Sequence, residues 1–245
     1  MAYRNDNDLA FLQHASREDL DILVKYLTKD EKGTSRTTEE LTKSKEYKEH
    51  APNHEMYWEL IASELQCYGG NTISTLFRSG KGVLYKEVLT DVCDKIKVKY
   101  LKTESIDVIE MHLLEKILAD SMENLSFQER QDLVRELGLE TTDFSKQAIL
   151  IALQSTIKIG TLASYELATI VANSIMKMLL GRGLTIAGST ALTRIVGVVT
   201  GPIGWIVTGA WTVVDIAGPA YRVTIPSVIH IAFIRAKLKH QEIIP

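Results

Sequence analysis

The chain has 245 residues, 45% of them hydrophobic, which is enough to bury a core without covalent staples. Its two cysteines, Cys67 and Cys93, are too few for a disulfide scaffold and sit among apolar helix positions, which reads as reduced thiols in a cytosolic protein. The net charge of −3 hides a split: residues 146–245 hold nine basic and three acidic side chains, a net +6, so the first 145 residues carry −9.

Two halves of opposite sign attract each other, or the second faces an anionic surface. The start, MAYRNDNDLAF, is polar and has no apolar h-region, so no cleaved secretory signal is expected. Residues 7–14 suit a short helix through Leu9, Phe11 and Leu12. Ser16 then caps a better one, with Asp19 three residues on and Leu20, Leu23, Val24 and Leu27 at helical spacing. Residues 29–48, around the run GTSRTT, read as an exposed linker.

A helix over 55–66 buries Tyr57, Leu60, Ile61 and Leu65, and Gly69-Gly70 ends it. The span 83–97 sets Leu84, Val88, Val92 and Ile96 on one stripe. The span 106–118 repeats the pattern through Ile109, Leu113, Leu114, Ile117 and Leu118. Ser126 and Glu129 form a capping box, and Gly138 stops the helix that follows. No alternating run is long enough to force a strand. The expected fold class is therefore all-α: an acidic helical domain over 1–145, packed with an apolar, Gly/Pro-punctuated helical region over 146–245.

Residues 146–180 form a helix that Lys158, Glu166 and Lys177 make too charged for a comfortable membrane span, and Gly181 to Gly183 break it. The stretch 183–235 holds, between its end residues, only Arg194, Asp215 and Arg222 as formal charges. Gly201-Pro202 and Gly218-Pro219 divide it into pieces near 184–199, 202–217 and 225–239, with Pro226 a further break or first-turn residue. The uncharged run 195–214 has the length of a membrane span, but the piece after Pro202 covers only roughly 24 Å against a hydrocarbon core of about 30 Å. The span 184–217 therefore reads as a helical hairpin, either buried in a bundle or laid into a membrane as a re-entrant or interfacial element. Gly201, Pro202, Gly204, Trp205 and Trp211 are its candidate membrane or partner contacts, the glycines for close approach and the tryptophans as anchors. Arg194, Asp215 and Arg222, expensive to bury alone, are expected to close an internal ion cluster.

Arg78 and Lys81, in the run RSGKG, offer a weak anion site without the spacing of a phosphate loop. His50, His54 and Glu55 flank Pro52 and do not make a metal pair. His112 and His230 lie in apolar helix patterns and are expected to be packed rather than catalytic. No catalytic motif and no cofactor signature is present, and the lack of basic patches with interleaved aromatics argues against nucleic acid.

Three stretches carry a resemblance. They are YRNDNDLAFL at 3–12, ELQCYGGNT at 64–72 leading to GVLYKEVLTDVCD at 82–94, and TGPIGWIVTGAWTVVDIAGPAYRVTIPSVIHIAFIR at 200–235. Together they resemble the YaaW-like family of bacterial proteins. The resemblance implies a protein made in the bacterial cytoplasm. The family's similarity to the ubiquinol–cytochrome c chaperone domain implies an all-α assembly factor working near a membrane. The expected function is a non-enzymatic, chaperone-like helical interaction protein, peripheral at the inner membrane, with a protein partner or a lipid surface as its target and no cofactor. The alternative is a pore-forming or membrane-perturbing protein whose hydrophobic hairpin is sheltered.

Overall fold

The computed structural model describes residues 3–30, 33–36, 38–69, 82–159, 161–181, 196–197, 199–204 and 220–244. The fold is all-α, as expected. Its α-helices are α1 (Arg17–Thr28), α2 (Lys45–His50), α3 (Trp58–Gly69), α4 (Tyr85–Ile96), α5 (Ile106–Ser121), α6 (Phe127–Glu136), α7 (Lys146–Ile159), α8 (Thr161–Leu180) and α9 (Tyr221–His240). Single 3₁₀ turns join several of them. Among the described residues there is no strand, only one antiparallel bridge between Lys29 and Ser35.

Helix α9 is the axle. Fourteen of its 20 residues are buried, so it has no solvent face of its own. A helix apolar all round is stable only when enclosed, and here α8 lies along it while α1, α3, α4 and α5 close the remaining sides. Each fully buried Ile, Val or Phe of α9 contributes about 1.5–3 kcal/mol of transfer free energy, and those side chains are supplied by the run VTIPSVIHIAFI. The surrounding helices turn their stripes inward: Leu20, Leu23 and Leu27 of α1, Val88 and Val92 of α4, and Ile109, Leu113 and Ile117 of α5 are all buried.

The helix ends follow from local chemistry. The Asp19 N–H donates to the Ser16 hydroxyl at 3.3 Å. At α6 the capping box is closed in both directions, the Glu129 N–H to Ser126 Oγ at 3.3 Å and the Ser126 N–H to Glu129 Oε2 at 2.7 Å. Gly138, at φ +59°, turns the chain out of α6. Gly82 answers a different need. A Cβ there would lie 2.2 Å from the Gln66 carbonyl carbon, so only glycine lets the chain cross α3 and form the Val83 N–H to Gln66 carbonyl bond at 3.0 Å.

Several boundaries differ from the expectations. The polar run 29–48 is not a plain linker: Leu41 is fully buried, Glu39 is buried, and Ser44 caps α2 by accepting the Tyr47 N–H at 3.1 Å. The helix expected over 146–180 is described as Lys146–Ile159 and Thr161–Leu180, with residue 160 outside the described residues. Helix α9 begins at Tyr221, which places Pro226 inside it rather than at a break. Proline's fixed φ suits a helix, and the enclosing core outweighs its missing ladder bond. The expected break at Gly201-Pro202 is also absent: residues 199–204 are helical through both positions.

Candidate functional site

Every fourth residue or so along one side of α9 carries a distinct task. Ala232, Arg235, Ala236 and Lys239 fall at helical spacing on one face. The two alanines are too small to reach α5, so the helices part there. The result is a cleft of about 600 Å³ between α5, α7, α8 and α9. Its apolar walls come from Val108 and Met111 of α5, Ile157 of α7, and the two alanines.

The floor is a buried ion pair. Arg235 Nε donates to Glu110 Oε2 at 2.8 Å, and Arg235 Nη2 donates to the Asp8 carbonyl at 2.7 Å. The Tyr85 hydroxyl donates to Glu110 Oε1 at 2.7 Å, and the Arg235 guanidinium stacks 4.1 Å above the Phe11 ring. The Glu110 side chain is only 1% exposed. Burial pushes its carboxyl above the ordinary range, against the pull of Arg235 and Tyr85. Burial lowers Arg235, but Glu110 and Tyr85 raise it further, so the guanidinium stays protonated.

The rim is paired as well. Lys239 Nζ meets Asp107 Oδ2 at 3.1 Å, and Gln154 Nε2 donates to Glu115 at 3.0 Å. His112 lies 3.6 Å from Glu104 and 4.0 Å from Glu115. It stands at the cleft's edge with 35% of its side chain exposed, rather than packed as expected. His230, by contrast, is fully packed; its Nε2–H donates to the Asp19 carbonyl at 2.9 Å. Lys237 takes the Asp19 carboxylate at 2.7 Å. The basic end of α9 thus meets acids of α1 and α5, which is the charge split of the sequence expressed as contacts. A cleft with apolar walls and polar groups already matched to one another suits an apolar guest with polar margins.

Of the residues singled out by sequence, Arg194, Asp215, Trp205, Trp211, Arg78 and Lys81 lie outside the described residues. Arg222 is exposed in the first turn of α9, beside Lys29, Arg36 and Leu180. Gly201 is exposed and Pro202 half-exposed, whereas Gly204 is buried, and a Cβ there would lie 2.8 Å from Met178 Sδ. Sequence reasoning missed the Glu110–Arg235 pair. Its signal was slight: Glu110 is one of four acids on α5, and Arg235 is the first charge after the apolar run 223–234 of α9.

Among the described residues, no three His, Cys, Asp or Glu side chains gather to hold a metal ion. His54 is engaged by the Tyr57 hydroxyl at 2.5 Å and by Asp21 at 3.5 Å. No described helix is long and apolar enough to cross a membrane.

The family model described as Ubiquinol-cytochrome C chaperone matches residues 53–230, and a domain of unknown function, DUF3944, matches residues 3–37. A UPF0174 protein of Helicobacter pylori is 48% identical over 97% of this chain and 94% of its own length. A second, from another strain of that organism, is 42% identical over 82% of this chain and 98% of its own length. The UPF0174 protein YaaW of Escherichia coli K12 is 33% identical over 95% of each chain. No solved structure matches. Asp8 and Asp19, from the first matched segment, hold Arg235 and Lys237, which lie beyond the second.

Proposed function

The chain belongs to the UPF0174 family and carries a chaperone-like domain, and from that premise we propose that it is a non-enzymatic interaction protein that shelters an apolar segment of a partner protein. The segment lies in the cleft between α5, α7, α8 and α9, and the work is done at the cytoplasmic face of the inner membrane. The carrying observation is the cleft's composition. Its walls, Val108, Met111, Ile157, Ala232 and Ala236, are apolar, while its charged groups are matched to one another. Such a lining gains little from a polar substrate and favours an apolar one. Association with the membrane is supported by the sequence of residues 183–219, which holds only Arg194 and Asp215 as formal charges.

A photo-crosslinking amino acid at Met111, in living cells, tests the cleft. A matched probe at Leu101, which is 65% exposed and outside the cleft, serves as the control. Protein adducts are expected from Met111 and not from Leu101. Equal adducts at both positions, or none at Met111, would sink the reading.

A further inference from the structure

Three acids and two bases line the cleft between α5, α7, α8 and α9: Asp107, Glu110 and Glu115 against Arg235 and Lys239. With His112 neutral the lining has a net charge of −1. Two of the acids are neutralised within the chain, Glu110 by Arg235 and Asp107 by Lys239. Glu115 is left over. Only 12% of its side chain is exposed, and among the described residues no lysine or arginine forms an ion pair with it. Its hydrogen-bond donor is neutral, the Gln154 amide at 3.0 Å. His112 stands 4.0 Å from Glu115 and 3.6 Å from Glu104, beyond hydrogen-bond length of both. Glu104, 24% exposed, is also held by a neutral donor, the Leu101 N–H at 2.8 Å. Two carboxylates thus flank one imidazole at the cleft's edge, largely out of water and without a cation among the described residues.

The walls also set the shape of a guest. All four are helices, whose backbone N–H and C=O groups are spent on their own ladders. A guest finds no sheet edge there to pair with, so its backbone must satisfy itself, as a helix does. An apolar void of roughly 150 Å³ takes one benzene-sized group, so the cleft's 600 Å³ takes about four. Four side chains are what one face of a helix presents at positions i, i+3, i+4 and i+7.

We propose that the guest is an apolar helical segment of a partner protein that ends in a lysine or arginine, with that cation seated at Glu115, His112 and Glu104. The proposal rests on the reading of the cleft given above and adds the partner's shape and charge. A mostly buried carboxylate without a counter-ion gains more from a cation than an exposed one does. Arginine suits the seat best, since its planar fork reaches two acceptors at once. The sign of the lining disfavours an anionic guest such as a fatty acid, whose chain would match the walls equally well. An apolar helix with a basic end is the composition of a membrane-spanning segment where it meets the cytoplasm, the place the reading above assigns to the work.

Two peptides of about sixteen residues, long enough to form a helix, test the charge. Both carry leucines at i, i+3, i+4 and i+7 on an alanine and glutamine background, and both bear a neutral dye. One ends in arginine amide, the other in glutamine amide. Each is titrated with full-length protein and followed by fluorescence anisotropy. The arginine peptide should bind about ten-fold more tightly to wild type. To E115Q, which keeps an acceptor for Gln154, the two should bind alike. If E115Q lowers the melting temperature, E104Q, at the more exposed carboxylate, carries the test with an expected loss of preference of about three-fold. V108S, on the apolar wall, should weaken both peptides by the same factor, and peptides indifferent to it bind elsewhere and overturn the proposal. Equal binding of the two peptides to wild type would overturn the basic end while leaving an apolar guest standing. An arginine preference that survives in folded E115Q would put the cation somewhere else and overturn its seat. Binding of neither peptide overturns the helical guest, whereas the sheltering of a segment in cells is decided separately by the Met111 crosslink.

Discussion

Replacing Arg235 by methionine isolates the floor of the cleft. The unbranched side chain keeps much of the packing over Phe11, but Glu110 loses its counter-ion and the Asp8 carbonyl loses its donor. Breaking a buried pair from one side typically costs about 3–5 kcal/mol. A second limit comes from protonation. The stranded carboxyl escapes by taking a proton, and for a glutamate with an ordinary pKa near 4.3 that costs about 3.7 kcal/mol at pH 7 and about 1 kcal/mol at pH 5. The R235M protein should thus lose about 3–4 kcal/mol at pH 7 and far less at pH 5. The sign follows from linkage: in the variant the folded carboxyl titrates above its unfolded value, so the native state holds the extra proton and stability falls as pH rises. Urea denaturation of wild type, R235M and E110Q/R235M at both pH values measures this. The double variant should recover much of the loss, because no charge is left buried. A loss below about 1 kcal/mol at pH 7, or one that does not change with pH, would show that Glu110 is hydrated and the pair unimportant.

Two smaller perturbations follow from other elements. Ser126→Ala removes the acceptor of the Glu129 N–H and should cost about 1 kcal/mol in thermal or chemical denaturation; a neutral result would mean that α6 is not fixed by its box. Glu64 is pushed up to about 7 by burial, with Glu39 and Glu40 adding to the effect. Its folded value lies above its unfolded one, so stability should fall as pH rises from roughly 4.5 to 7, by up to about 3 kcal/mol. Glu64→Gln should flatten that slope in urea titrations across this range, and an unchanged slope would assign it to other groups.

The helical core was legible because its signal is local. The stripe of α1, the stripe of α5 and the capping box at Ser126 each lie within one window of sequence, and all three hold. Leu41 escaped notice because one apolar anchor in a polar run has no periodicity to betray it. Pro226 misled because local propensity yields to enclosure when a helix is buried all round. The cleft was invisible for a different reason. Glu110 and Arg235 are 125 residues apart, and the space above them exists because Ala232 and Ala236 are small. Neither a long-range pair nor a gap leaves a local mark.

The central position of α9 has a temporal side. Lys237 reaches Asp19 across 218 positions of sequence. At about 5–20 residues per second of synthesis, roughly ten to forty seconds separate the emergence of α1 from that of the helix it packs against. During that interval the inward stripes of α1, α3, α4 and α5 can meet one another and α8 but lack the helix they enclose. Closure of the bundle therefore waits on the emergence of α9, and until then the nascent chain is itself a client for whatever shields apolar surface near the ribosome. A stall or frameshift shortly before residue 221 would leave a product that keeps nearly all the helices and lacks their common core.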